Sequence, residues 1–320
     1  MRVGLFFQIK STLYIYYLDL YNIKEFKMDI EFELDSIKHS PEDVLKYLFN
    51  KGETVTADFV NDIVYFKRVN DFISNVLRQV KTLSSTEMLT LENEARRKRI
   101  FNTIVLMMHL PLSLKYSSEI QSYKIDESID YDSKNPQSVL YTAILNTESF
   151  IARIPPSFFN EPASTKYHGA FAGGLMYHSI AVLKVVLDTY DTYLSEKYRK
   201  LSNTSNIYKE MREDICANIA AILLHDICKV GKYTYNIDKN KYDYNYNEVP
   251  SFQHGAESYR RLAHEGFRLS REWELAVAYH MGAFDVSKQE MMDFSTISEK
   301  VPEVLLLHHA DMIATKIYHF

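Results

Sequence analysis

Residues 219–229 read IAAILLHDICK, a run of apolar side chains that ends in a histidine, an aspartate and a lysine. We predict a helix over 215–229 that is apolar nearly all round and therefore lies in the centre of its domain. An ionised aspartate there costs several kcal/mol unless a cation or hydrogen bonds compensate it. His225 and Asp226 are therefore either a buried hydrogen-bonded pair or part of a metal site.

Other histidines and an aspartate favour the metal site. His178 falls in a predicted helix over 175–187, and three further helices are predicted over 253–266, 270–281 and 302–318. These carry His254, His280 and Asp311, respectively. Four imidazoles and two carboxylates thus lie on separate apolar elements, the mixed ligand set that Mn, Fe, Co, Ni and Zn prefer over Mg. We expect one or two such ions.

The rest of the chain also reads as helical, so we predict an all-α fold. Helices are predicted over 41–48, 56–83, 85–108 and 136–151. Residues 117–135 are predicted to be a linker or an exposed loop, and residues 188–214 a polar insert. The one strand-like stretch covers 232–246. Prolines near residue 150 suggest a boundary between a mostly helical N-terminal region, 1–150, whose role the sequence does not reveal, and a second domain, 151–320.

Composition favours a globular protein with a small substrate. The chain has 320 residues, a net charge of -5 and two cysteines, Cys216 and Cys228, which indicates no disulfide framework and no global basic field. No segment reaches the roughly 18 apolar residues that a membrane span needs. Lys10 and Ser11 interrupt the apolar N-terminus, which argues against a signal peptide and for a cytoplasmic protein. Residues 1–27 could be an alternative-start extension, because Met28 opens a more ordinary start.

Several motifs resemble the HD superfamily of metal phosphohydrolases over about 150 residues. They are Tyr167-His168-Gly169, Gly173-Gly174-Leu175-Met176-Tyr177-His178-Ser179, Leu223-Leu224-His225-Asp226-Ile227-Cys228-Lys229, Tyr279-His280-Met281-Gly282 and Asp311. Within that superfamily, HD hydrolases of bacteriophage and mobile elements are resembled by the Pro162-Ala163-Ser164 and Tyr167-His168 lead-in, the Gly173-Gly174 turn and Tyr279-His280-Met281-Gly282. The chain also resembles the HD half of bacterial exoribonucleases that digest RNA from the 3' end. The resemblance implies an HD helical bundle over 151–320.

The resemblance also implies roles for individual residues. His178, His225, Asp226 and Asp311 would bind one metal, His254 and His280 a second, and Asp226 would bridge the two. Two ions about 3.5 to 4 Å apart can hold a bridging hydroxide and clamp the phosphoryl oxygens.

Two further residues are catalytic candidates beside Asp226. Lys229 would neutralise phosphate charge, or is a helix-end lysine in solvent. His168 would orient the phosphate or leaving group, or is a cap or a donor behind the ligands.

The remaining histidines and Cys228 are weaker candidates. His308 and His309 precede Asp311 on one helix and could replace it as a ligand, and Cys228 is more typical of a small buried hydrophobe. We interpret His39, His109, His264 and His319 as ordinary surface or core residues.

The expected function is hydrolysis of a phosphomonoester or phosphodiester, with a nucleotide as the favoured substrate. One alternative is a 3'-to-5' exonuclease on single-stranded RNA or DNA, guided by the basic run Arg96-Arg97-Lys98-Arg99, which otherwise is a solvated helix face. A non-catalytic nucleotide-binding protein is the third possibility. Substrate, metal and oligomeric state stay open.

Overall fold

The protein is mostly helical, which confirms the predicted all-α class. A computed structural model describes residues 69–78, 80, 91–110, 114–117, 122–125, 128–132, 134–201, 207–245, 253–282 and 288–318. The predicted helix over 41–48, the suggested extension 1–27, His39 and His319 lie outside the described residues. None of the described helices combines the length and the apolar content that a bilayer crossing requires.

The described helices follow one another along the chain, and we number them in that order. They are α1 (residues 69–78), α2 (Leu91–His109), α3 (Val139–Ile151), α4 (Gly174–Leu201), α5 (Ile207–Ala217), α6 (Ile219–Leu223), α7 (His254–His264), α8 (Arg271–Tyr279), α9 (Lys288–Ser298) and α10 (Pro302–Lys316). Short 3-10 turns cover Pro156–Phe159 and Ile227–Lys229. The predicted helices over 136–151, 253–266, 270–281 and 302–318 are confirmed as α3, α7, α8 and α10.

Two antiparallel hairpins interrupt the helices. Strands β3 (Tyr233–Asn236) and β4 (Lys241–Tyr244) confirm the predicted strand-like stretch. Strands β1 (Leu114–Ser117) and β2 (Ser122–Ile125) were not predicted, so the interpretation of 117–135 as a linker or an exposed loop is wrong at Ser117 and over β2. Each of these strands has four residues, which is too short for an alternating pattern to stand out in the sequence.

The predicted helix over 215–229 is not continuous. It is split into the end of α5, the short helix α6, a turn and the 3-10 turn. Asn218 breaks it first, because its side-chain amide donates to the backbone oxygen of Asp214 at 2.9 Å and its Oδ1 accepts from the backbone of Ser270 at 2.7 Å. The second break places His225 and Asp226 in the turn that follows α6.

Two more expectations are corrected. The polar insert over 188–214 is largely helical, since α4 continues to Leu201 and α5 begins at Ile207. Tyr190 and Leu194 are buried at helical spacing, which keeps one face of the extended α4 in the core. Helix α9 was not predicted at all.

The core surrounds α4, which is buried on nearly every side between Gly174 and Leu187. α4 packs chiefly against α10 and also contacts α5 and α6. One continuous buried cluster extends from α1 and α2 through α4 to α8 and α10. The boundary near residue 150 stays a prediction, but buried side chains on both sides of it belong to this one core.

Candidate metal centre

Five structural elements bring the predicted ligands to one place. His178 lies in the second turn of α4, and His225 and Asp226 lie in the turn after α6. The remaining three, His254, His280 and Asp311, are the first residue of α7, the residue that caps α8, and a residue in the middle of α10. His178, His225, Asp226 and His280 are all at most 3% exposed.

Asp226 lies at the centre of the cluster, between two pairs of histidines. Its Oδ2 is 3.4 Å from Nε2 of His178 and 3.7 Å from Nε2 of His225. Its Oδ1 is 2.5 Å from Nε2 of His254 and 3.5 Å from Nε2 of His280. One carboxylate oxygen thus faces each pair of imidazoles, which is the arrangement a bridging carboxylate needs.

The ligand atoms of the first group, His178, His225, Asp226 and Asp311, are nearly as close together as ligands around one ion. Nε2 of His178 lies 3.3 Å from Nε2 of His225 and 3.1 Å from Oδ1 of Asp311, and His225 is 3.9 Å from the same oxygen. Ligands about 2.1 Å from an ion in a tetrahedral or octahedral shell are roughly 3.0 to 3.4 Å apart. These atoms could close on a metal with small side-chain movements.

The second group of ligands, His254 and His280, is brought together where α7 and α8 approach each other closely. A Cβ atom at Gly255 would lie 2.2 Å from the backbone oxygen of Ala278, so only glycine lets α7 contact α8 here. The contact sets His254 beside His280, with ring centroids 5.4 Å apart.

Backbone carbonyls set the tautomers of two of the histidines. Nδ1 of His225 donates to the oxygen of Ile222 at 2.9 Å, and Nδ1 of His280 donates to the oxygen of Val277 at 2.7 Å. With the proton on Nδ1, each Nε2 presents a lone pair to the centre. Nε2 of His280 is buried without a hydrogen-bond partner, a cost that a metal ion would remove. The residues present therefore fit a metal ion.

Comparisons with protein-family models, with curated proteins and with solved structures give no match. The function is therefore inferred from the chemistry of this cluster and of its surroundings.

The charges of the cluster favour an ionised carboxylate. Burial alone would raise the pKa of Asp226, but the Lys229 ammonium, together with a hydrogen bond from His178, outweighs burial and holds that pKa well below its usual range. Lys229 Nζ lies 2.7 Å from Oδ2 of Asp226. Burial lowers the pKa of His225 to about 3, so its ring is neutral at pH 7, the form that binds metals.

His168 borders the cluster without contacting its carboxylates. Its ring centroid is 5.0 Å from that of His178, and its Nε2 is buried without a hydrogen-bond partner. Burial, together with His178 and Lys229, lowers its pKa to about 4. A neutral imidazole with an uncommitted nitrogen beside the candidate ligands can contact a substrate atom.

Two of the alternative ligands, His308 and His309, form hydrogen bonds with other groups, whereas Cys228 lies beside the candidate ligands Asp226 and His254. His308 donates from Nδ1 to the backbone oxygen of His280 at 2.7 Å, and Nδ1 of His309 lies 2.6 Å from the hydroxyl of Tyr193. Burial raises the pKa of the Cys228 thiol to about 12, although Sγ lies 3.5 Å from His254. Of the histidines read as ordinary, His109 packs on Phe150 and His264 is exposed.

The structure adds residues that the sequence did not point to. Arg261 on α7 donates to the oxygen of Val230 at 2.7 Å and holds the 3-10 turn that carries Lys229. Tyr233 follows that turn on β3. The signal for Tyr233 was present, because tyrosines alternate along this hairpin, but a tyrosine-rich strand is more often structural.

Proposed function

We propose that this protein is a metal-dependent phosphohydrolase of the HD superfamily that cleaves a phosphoester bond, with nucleotides as the favoured substrates. The observation that carries the proposal is the position of the two carboxylate oxygens of Asp226. One oxygen faces His178 and His225, and the other faces His254 and His280. Mixed imidazole and carboxylate ligands favour Mn, Fe, Co, Ni or Zn. Two such ions would supply Lewis acidity to the phosphoryl oxygens and activate water at neutral pH.

Two side chains beside the ligands have the chemistry to assist. Contact with Asp226 opposes the effect of burial and raises the pKa of Lys229, so that it stays an ammonium and can balance charge on a phosphate. His168 has a buried Nε2 without a hydrogen-bond partner, and its ring centroid lies 5.0 Å from that of His178, so it would orient the phosphate or the leaving group. With both cysteines free, we further propose a reducing compartment, the cytoplasm.

The exonuclease alternative loses support at its basic run. Arg97 is 2% exposed, and Lys98 pairs with Glu94 at 2.6 Å. Four consecutive cations therefore do not face solvent together as a guide for a nucleic-acid backbone. We expect binding with a shallow salt dependence, since a mononucleotide releases few counterions.

The first test is metal content and turnover of the full chain. We expect between one and two equivalents of Mn, Fe, Co, Ni or Zn by elemental analysis, and hydrolysis in a panel of nucleotides, cyclic nucleotides, generic phosphoesters and short RNA and DNA. Asp226→Ala should lose nearly all metal and activity, whereas His254→Ala should retain the ion held by His178, His225 and Asp311.

Two results would contradict the proposal. A protein that takes up no metal on reconstitution has no metal centre, and a metal-loaded protein that hydrolyses no phosphoester is not a phosphohydrolase. Equal metal loss in both variants would show that Asp226 does not bridge.

A further inference from the structure

The hairpin that follows Lys229 has one face made of tyrosines. The register pairs Tyr233 with Tyr244 and Tyr235 with Tyr242. Directly paired residues share a face of a sheet, as do residues two apart along a strand, so all four rings lie on the same side. We call this side the tyrosine face. Its ring centroids are 5.5 Å apart in the first pair and 5.2 Å in the second.

The opposite face of the hairpin is polar, and its side chains form hydrogen bonds and ion pairs with one another. Asp243 accepts from Asn236 at 3.1 Å and pairs with Lys239 at 3.3 Å and with Lys241 at 3.2 Å. These contacts hold the strands together without the tyrosines. On the tyrosine face, Tyr235 donates from its hydroxyl to Oδ1 of Asn240, so the Tyr235–Tyr242 pair has a role within the hairpin itself.

The base of the hairpin is attached to the candidate metal centre. Asn245 donates from its backbone to the oxygen of Lys232 at 2.9 Å, and Lys232 donates to the oxygen of Lys229 at 3.0 Å. Tyr233 is thus next to the turn that carries the Lys229 ammonium. Burial raises the pKa of Tyr233 to about 12; the Lys229 ammonium opposes this effect and the Asp226 carboxylate adds to it, so the phenol stays protonated.

The partner of Tyr233 is open to solvent. Tyr244 is 58% exposed and Tyr167, next to His168, is 79% exposed. In the described part of the chain these two are the only aromatic residues among the exposed large hydrophobic side chains. Exposed aromatic rings beside a phosphate site bind nucleobases by stacking, because every base has a face that stacks on an aromatic ring.

We propose that the Tyr233–Tyr244 pair stacks on the base of a nucleotide whose phosphate lies at Lys229 and the candidate metal ligands. The inference rests on the proposed function and narrows its substrate class to nucleotides of any base. A phosphoester without a base makes the same contacts with Lys229 and none with the tyrosines. The pair therefore contributes to binding and not to the chemical step.

The test compares adenosine monophosphate with ribose 5-phosphate, which lacks the base. In the metal-loaded protein, Tyr244→Ala should raise KM for the nucleotide about tenfold, with kcat nearly unchanged and the constants for ribose 5-phosphate unaffected. Tyr244→Phe keeps the ring and should behave as the unaltered protein. Thr234→Ala, an exposed substitution on the opposite face of the same hairpin, is the control.

Direct binding separates this inference from the proposed function. By calorimetry the protein should bind the nucleotide about tenfold more tightly than ribose 5-phosphate, and Tyr244→Ala should remove the difference. If both phosphates bind alike, or if Tyr244→Ala weakens both equally, the stacking role is overturned while hydrolysis stands. Selective nucleotide binding without any hydrolysis would leave the stacking role intact and overturn the proposed function.

Discussion

Arg97 is a buried cation with two hydrogen-bond partners that are far away in the sequence. Its Nε donates to the backbone oxygen of Phe159 at 2.7 Å, and its Nη2 donates to Oδ1 of Asn160. A Cβ atom at Gly173 would lie 2.3 Å from Cδ of Arg97, so the side chain also packs on the turn that precedes α4. Arg97 therefore connects α2 to the start of the helix that carries His178.

We predict that Arg97→Ala lowers the free energy of unfolding by about 2 to 3 kcal/mol, because the carbonyl of Phe159 and the amide of Asn160 lose a charged donor. Denaturant unfolding measures the change. The control is Arg99→Ala, an exposed position where we expect less than about 0.5 kcal/mol. Equal stability of the two variants would contradict a structural role for Arg97.

At the scale of elements, an ion pair holds α7 against the turn that carries Lys229. Glu257 is 2% exposed and accepts from Arg260 and Arg261, each at 2.7 Å. Arg261 in turn donates to the oxygen of Val230. The hydrogen bond from Arg260 is the largest influence and, with Arg261, lowers the pKa of Glu257 from 4.5 to about 2.

A depressed pKa has a defined effect on stability. The contribution of Glu257 is fully present above about pH 4.5 and is lost as the pH falls toward 2, since the unfolded chain takes up the proton first. Glu257→Gln should therefore cost about 1 to 2 kcal/mol at pH 7, and the difference from the unaltered protein should shrink below about pH 4.5. Urea unfolding at pH 7, 5, 4 and 3 measures both. Glu299→Gln, at an exposed position, is the control, and a difference that stays constant with pH would contradict the prediction.

At the scale of the whole molecule, the candidate metal centre joins elements that are distant in the chain. Ligands on α4, α7, α8 and α10 and in the turn after α6 all belong to one site. Ions bound there would hold these elements together, and any ligand that binds only the folded state stabilises it by mass action.

Metal removal should therefore lower the melting temperature. At free metal about a hundredfold above Kd the gain is about 2.7 kcal/mol, or roughly 5 °C. Thermal unfolding with and without a chelator measures it, and Asp226→Ala should show no response to either. A melting temperature that chelator and added metal leave unchanged in the unaltered protein would count against ions in the core.

Much of the helical architecture was readable because its signals are local. Helix α3 begins where the Ser138 side chain accepts a hydrogen bond from the backbone N–H of Tyr141, and α10 begins with Pro302 at its first position. Both signals lie within one turn of the helix start that they indicate. The break at Asn218 was not readable, because Asn218 is held by Ser270 on the far side of the bundle.

The sequence by itself determined the all-α class and the six candidate ligands, since apolar periodicity and the types of ligand atoms need only neighbouring residues. Tertiary structure alone decided which oxygen of Asp226 faces which histidines and which ring nitrogen each histidine presents. It also decided that Arg97 is buried while Tyr244 is exposed. The physical reason is that burial and hydrogen bonding of a charged or aromatic side chain depend on partners distant in the chain, as Phe159 is from Arg97 by 62 residues.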